Sequence, residues 1–167
     1  LGRELFRNQT GHPIRTGLLQ QNHLLWRAVD QHGIELDILL QKRRDTAAAK
    51  RFFQRLLAQY PNGPRKIITD QLRSYPAAKA GIPDLADVKH VFVKAAARVN
   101  NRGENSHQPT RDRERRMKGF RSPGRTQQFL FCFGPIRQHF MINRQRRGAA
   151  QHRNDLTRRF AVWQHLT

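Results

Sequence analysis

Apolar and polar positions alternate most clearly from His23 onward. Leu24, Trp26 and Ala28 alternate with Leu25, Arg27 and Val29, which predicts a strand. Asp30-Gln31-His32-Gly33 supplies a turn, with glycine free to take a positive φ. Ile34, Leu36, Ile38 and Leu40 then fall on one face of a second strand. Together these segments predict a β-hairpin. Ahead of it the pattern fails. Leu1 to Gln21 has no clear period and contains Gly2, Gly11, Pro13 and Gly17, so residues 1–22 are expected to be irregular.

The period changes after Asp45, a suitable N-cap for a helix from Thr46 to Tyr60. Ala49, Phe52, Phe53, Leu56, Leu57 and Tyr60 share one helical face, and Pro61-Asn62-Gly63-Pro64 stops the helix. Arg65 to Asp70 predicts a short strand ending on an acid, Leu72 to Ala80 a short helix distorted at Pro76, and Val88 to Val93 another strand. Asn100 to Lys118 is very polar and rich in arginine. Thr126 to Ile142 is an apolar helix expected to break at Gly134-Pro135. Residues 143–167 read as a basic, poorly ordered tail in which Leu156, Phe160 and Trp163 form at most a short amphipathic turn. A strand, an amphipathic helix and another strand suggest a crossover unit and an α/β fold.

Charge narrows the class of partner. The chain carries 32 Lys+Arg against 12 Asp+Glu, a formal net charge of +20. Such an excess repels itself in a compact state unless an anion offsets it. Nucleic acid is the commonest such anion, and arginine suits bidentate phosphate contact. A membrane surface fits less well, because the phenylalanines of Thr126 to Ile142 are better explained as core. The single cysteine, Cys132, excludes an intramolecular disulfide framework, and a reducing cytoplasm is expected.

Two acids are candidates for chemistry. Asp70 ends a short apolar strand, where a carboxylate can leave the core and meet solvent or a hard cation such as Mg2+. It could equally cap the helix beginning near Leu72. Glu104 shares a face with His107, Gln108, Arg111 and Arg115 if its segment is helical. It could hold a cation, or be a solvated acid favoured by the helix dipole. Pro109 sits awkwardly within that segment. His107 has neither a cysteine pair nor a second histidine at helical spacing, so it forms no zinc site by itself. The chain has no glycine-rich phosphate loop.

At this point the residues resemble a family. Trp26-Arg27-Ala28-Val29-Asp30, Leu36-Asp37-Ile38-Leu39, Arg43-Arg44-Asp45, Ile68-Thr69-Asp70, Leu72-Arg73-Ser74-Tyr75, Asn100 to Arg111, Arg113 to Met117 and Phe120 to Gly124 resemble, in order, the bacterial insertion-sequence transposases with a DDE catalytic domain. The resemblance runs from about His23 to Phe140. It implies an RNase H-like (retroviral-integrase-like) α/β fold with a mixed sheet flanked by helices, and an incomplete catalytic domain over residues 23–142. It implies two divalent metals, Mg2+ or Mn2+, held by Asp, Asp and Glu. One metal would activate the attacking oxygen and the other would stabilise the leaving oxygen. Asp70 and Glu104 lie 34 positions apart, as the second and third acids do in that family. They are therefore the expected catalytic and metal-binding residues. Arg102, His107, Arg111, Arg115 and Lys118 are the expected DNA contacts. The implied partners are the ends of an insertion sequence, target DNA and further copies of the chain.

The chain departs from the family at its start. The first acid is expected about eighteen residues ahead of Asp30, which points to His12. Thr10 to Asn22 does not resemble the family. The first strand is therefore expected to be missing or degraded, by truncation or a frameshift before residue 23. The resemblance implies DNA cleavage and strand transfer, while the lost acid implies a defective copy. A non-catalytic basic DNA-binding protein is the alternative.

Overall fold

The computed structural model describes the backbone of residues 5–16, 21–93, 101–141 and 148–166, and their side chains except those of residues 5–12, 15 and 101–107. Two compact units are present, residues 1–131 and 132–167.

The first unit is built on a five-stranded sheet. Strand β1 spans Leu5–Thr16, β2 Gln21–Val29, β3 Glu35–Gln41, β4 Lys66–Thr69 and β5 Lys89–Phe92. Their spatial order is β3-β2-β1-β4-β5. β1 pairs antiparallel with β2 and parallel with β4. β2 pairs antiparallel with β3, and β4 parallel with β5. The sheet is thus mixed, as the family resemblance implies.

Helices cover both faces. Helix α1, Thr46–Gln59, crosses between β3 and β4, and the short α2, Ser74–Ala80, crosses between β4 and β5. The Asp45 carboxylate accepts the Ala48 N–H at 2.8 Å and starts α1 as predicted. Phe52, Phe53 and Leu56 of α1, and Tyr75 and Ala78 of α2, are buried with Trp26 and Ala28 of β2 and Ile67 of β4. Trp26 meets Phe52 and Tyr75 at centroid distances of 5.8 and 5.6 Å. Leu25 and Ile38 point the other way. They form a second cluster with Ile14, with Phe120, and with Leu130 of α4, Pro123–Phe140. β2 is therefore buried on both faces, so the alternation there is between two apolar layers rather than between core and solvent.

The hairpin strands, β4 and β5 form where predicted, with ends shifted by a residue or two, but Ile34, Leu36, Ile38 and Leu40 do not share one face. Leu36 joins the Trp26 cluster, Ile38 and Leu40 join the Ile14 cluster, and Ile34 is exposed ahead of β3. The start of the chain does not form as predicted. Residues 1–22 were expected to be irregular and the first strand lost, yet Leu5–Thr16 is a strand in the middle of the sheet. Its order comes from its neighbours' backbones, which do not require a side-chain period. Pro13 lies beyond Leu5 to Asn8, the stretch of β1 that the β4 ladder covers, so no bond of that ladder needs its missing N–H. Gly11 falls at the register shift between Thr10 and His12.

The helical boundaries also differ. The expected start at Thr126 gives way to a helix beginning at Pro123. Ser122 accepts the Arg125 N–H on its hydroxyl and the Thr126 N–H on its carbonyl, and proline at the first helical position loses no hydrogen bond. The helix passes through Gly134-Pro135 without ending.

In the second unit, the expected disordered tail contains helix α5, Ala149–Leu166. Phe160 and Trp163 of α5 stack near Phe140, with centroids 4.8 and 5.7 Å away. Arg159 donates to the His139 carbonyl, and the His139 Nε2 donates to the Arg159 carbonyl at 2.9 Å. These aromatic and cross-helix contacts order a segment whose sequence is dominated by charge.

Candidate functional site

β4 has only four residues. Ile67 and Thr69 are buried, and the chain leaves the sheet at Asp70. The Leu72 N–H donates to Asp70 Oδ1 at 3.1 Å, a turn two residues long. Arg44, on the segment after β3, donates through Nη2 to Asp70 Oδ2 at 2.8 Å. Burial pushes the Asp70 carboxyl above its ordinary range, while the Leu72 N–H and the Arg44 guanidinium pull it back. Asp70 does not cap α2, because the N-cap position is Arg73 and no side chain bonds there.

A polar chain runs sideways from this point. The Thr69 hydroxyl donates to the Asp70 carbonyl at 2.9 Å. It must then accept from His90 Nε2, 2.8 Å away on β5. Burial, and secondarily the charge of Lys79, lowers the His90 pKa and favours the neutral ring, of which this bond selects the tautomer protonated at Nε2.

Asn101–Arg116 forms helix α3, so the helical condition on Glu104 is met by the backbone. Glu104, Arg102 and His107 all stand on α3, and their side chains lie outside the described residues. Gln108, Arg111 and Arg115 are exposed, while Thr110 between them is fully buried. The stripe predicted to carry Arg111 and Arg115 is thus a solvent face. Pro109 stands inside the helix. Lys118 follows its end at φ 55°, next to Gly119 at φ 89°, and the Gly119 N–H closes the turn on the Glu114 carbonyl at 2.8 Å.

The remaining neighbour of β4 is β1. The parallel register pairs Phe6 with Ile67, Arg7 with Ile68 and Asn8 with Thr69. Leu5–Thr16 reads LFRNQTGHPIRT, without an aspartate or glutamate. Among the described residues no three His, Cys, Asp or Glu side chains gather to hold a metal ion. Both oxygens of Asp70 are already bonded. Among the described residues, the side chains beside Asp70 do not fit a site for two divalent metals. Sequence reasoning missed Arg44 as the partner of Asp70 and His90 as its neighbour, because nothing in local spacing links these segments.

Comparison with known proteins follows the same division. A family model described as a DDE domain matches residues 18–143, beginning after β1. The transposase for insertion sequence-like element IS431mec of Staphylococcus aureus is 32% identical over 108 residues, covering 65% of this chain and 48% of that protein. The transposase for insertion sequence element IS257 in transposon Tn4003, also from S. aureus, matches to the same extent. The chain spans about half the length of these curated relatives. The catalytic core domain of BIV integrase superposes with a TM-score of 0.55 at 11% identity, covering 97% of this chain and 99% of that one. The likeness of fold includes β1, whereas the likeness to the family model does not. No helix among the described residues is long and apolar enough to cross a membrane.

Proposed function

The chain belongs to the DDE-domain family of bacterial insertion-sequence transposases, and from that premise we propose that it binds DNA on the transposase scaffold without cleaving or joining strands by itself. The observation that carries this reading is the composition of β1. This strand lies against β4, whose end bears Asp70, and it offers no carboxylate. A site for two divalent metals needs several anionic oxygens, and losing one of three acids removes a ligand that nothing on β1 replaces. Asp70 and Glu104 are what remains of the acid set, and Mg2+ or Mn2+ would find an incomplete site. No chemical step is therefore assigned to a metal.

DNA binding rests on separate features. The net charge of +20 favours a polyanion, and Arg111 and Arg115 lie exposed along α3, with Lys118 exposed just beyond it. Arg102 and His107 belong to the same helix and are assigned the same role. Transposon ends and target DNA are the proposed ligands, with a further copy of the chain or an intact relative as protein partner in the bacterial cytoplasm. The test pairs two measurements on the full chain, fluorescence anisotropy with duplex DNA and a strand-transfer assay in Mg2+ and Mn2+. Salt-sensitive binding without joined product is expected. Metal-dependent joining by the chain unaided would overturn the reading.

A further inference from the structure

The two edges of the sheet are finished differently. β3 and β5 are its edge strands. On β3, side chains take the place of a further strand. The Leu40 N–H donates to Gln127 Oε1 at 2.7 Å, and Gln127 Nε2 donates to the Ile38 carbonyl at 2.8 Å, so one carboxamide pairs with the strand as a peptide group would. The Tyr60 hydroxyl donates to the Leu36 carbonyl at 3.3 Å. β5 has no such cover among the described residues. Its Lys89 N–H and the following Val93 N–H turn inward, to the Arg65 and Thr69 carbonyls at 3.2 and 3.0 Å. Peptide direction alternates along a strand, so the N–H and carbonyl groups of His90 and Phe92 face outward. Among the described residues nothing bonds to them. Proteins commonly suppress such an edge with side-chain cover, charge or proline. The only charged residue of β5 is Lys89, at its first position.

We propose that β5 is the docking edge for a second copy of this chain, paired antiparallel about a two-fold axis beside Val91 so that the two sheets run on as one. The strand is self-complementary in that register. Val91 opposes its own counterpart, His90 opposes Phe92, and Lys89 opposes Val93. Each opposed His90 and Phe92 exchange both N–H···O bonds, so every outward peptide group of the strand is satisfied. His90 and Phe92 already stack with ring centroids 4.3 Å apart, and Phe92 is 48% exposed. Pairing sets the two stacks side by side on one face and covers that ring. No like charges stand opposed. The two Lys89 side chains lie at opposite ends of the paired strands, about 13 Å apart, beyond a Debye length of about 8 Å at physiological salt. A peptide of another sequence would find the same backbone groups without the matching rings, which favours a second copy. Because β5 is short, the dimer is weak and concentration-dependent.

This inference rests on the reading that a further copy of the chain is a partner, and its test uses neither DNA nor metal. Sedimentation velocity follows the full chain over a concentration series, in salt that screens the net charge of +20. A dimer that dissociates on dilution is expected. Phe92→Pro removes an outward N–H and the exposed ring but no bond to β4, and should weaken the dimer roughly tenfold or more. Cysteine cross-linking tests the register separately, in a Cys132→Ser background under mild oxidation. Val91→Cys is expected to give a disulfide-linked dimer, because opposed residues without mutual hydrogen bonds have Cα atoms about 4.5 Å apart, within disulfide reach. Lys89→Cys is expected to stay unlinked. Far-ultraviolet circular dichroism checks that each variant folds. A chain that is monomeric throughout the series, a dimer indifferent to Phe92→Pro, or linkage at position 89 rather than 91 would overturn the proposal. Loss of DNA binding in the anisotropy measurement, by contrast, would remove the proposed function and leave this dimer to stand or fall alone.

Discussion

Arg27 donates through Nη2 to the hydroxyl of Thr110 at 2.7 Å, joining β2 to the middle of α3 across 83 positions of sequence. Both residues are buried, Thr110 completely. On its other side the Arg27 Nε lies 3.0 Å from Glu35 Oε2, at the start of β3, although its N–H is not aligned for a hydrogen bond. The guanidinium therefore ties three elements together beneath the helix that bears Glu104. Removing the cation would strip Glu35, 9% exposed, of this ion pair. Arg27→Met is expected to destabilise the protein by about 3–5 kcal/mol. Thr110→Val should cost about 1–3 kcal/mol by leaving a buried donor unmet. Urea unfolding of both single variants and the double variant measures the coupling. Strictly additive losses would show that the contact is not formed.

Asp70 carries a cost that pH should reveal. Its folded pKa is raised above the ordinary 3.8, chiefly by burial. A raised carboxyl contributes stability that is fully present below the unfolded value and is lost as pH rises through the folded one. Asp70→Asn abolishes that titration, and its amide oxygen can still accept the Leu72 N–H. The variant is expected to melt at or above the unaltered chain at pH 7, with the gap closing as pH falls through the raised folded value and gone below about 3.8. Thermal melts across that range decide the sign. A variant that melts lower at pH 7 would mean that the Arg44 pair outweighs desolvation.

The elements legible in the sequence are those whose order is local. The Asp45 cap, the Phe52 and Phe53 face of α1 and the turn at Asp30 each depend on residues a few positions apart. Asp70 was legible because a short apolar run ends on it. β1 was illegible because its order is imposed from outside. It lies between two partners near its start and one partner near Pro13, and no side-chain alternation is needed where both ladders hold the backbone. α5 was hidden by its charge, and the aromatic contacts of Phe160 and Trp163 with Phe140 reach across about twenty positions. The Arg27–Thr110 and Arg44–Asp70 contacts are non-local and left no trace in periodicity.

The Asp45 cap offers a local test. Its carboxylate satisfies the Ala48 N–H, and the Asp45 carbonyl accepts from Ala49 at 3.1 Å. Asp45→Ala is expected to cost about 1 kcal/mol, and Asp45→Ser to recover most of it. Chemical denaturation reads the difference. An alanine variant as stable as the parent would show that α1 is held by Phe52 and Phe53 alone.

The exposed cations of α3 should be read by salt rather than by affinity alone. If Arg111 and Arg115 each neutralise one DNA phosphate, each releases a condensed counterion on binding. The slope of log K against log salt then falls in magnitude by about 0.9 for each arginine removed. Arg111→Ala and Arg115→Ala are expected to weaken binding to any duplex sequence alike, since phosphate contacts carry no sequence information. Lys89→Ala is the control, because Lys89 is exposed at the opposite end of its strand from the residues beside Asp70. Anisotropy titrations over a salt series give all three slopes. An unchanged slope for both arginine variants, or an equal loss for Lys89→Ala, would show that DNA does not lie along α3.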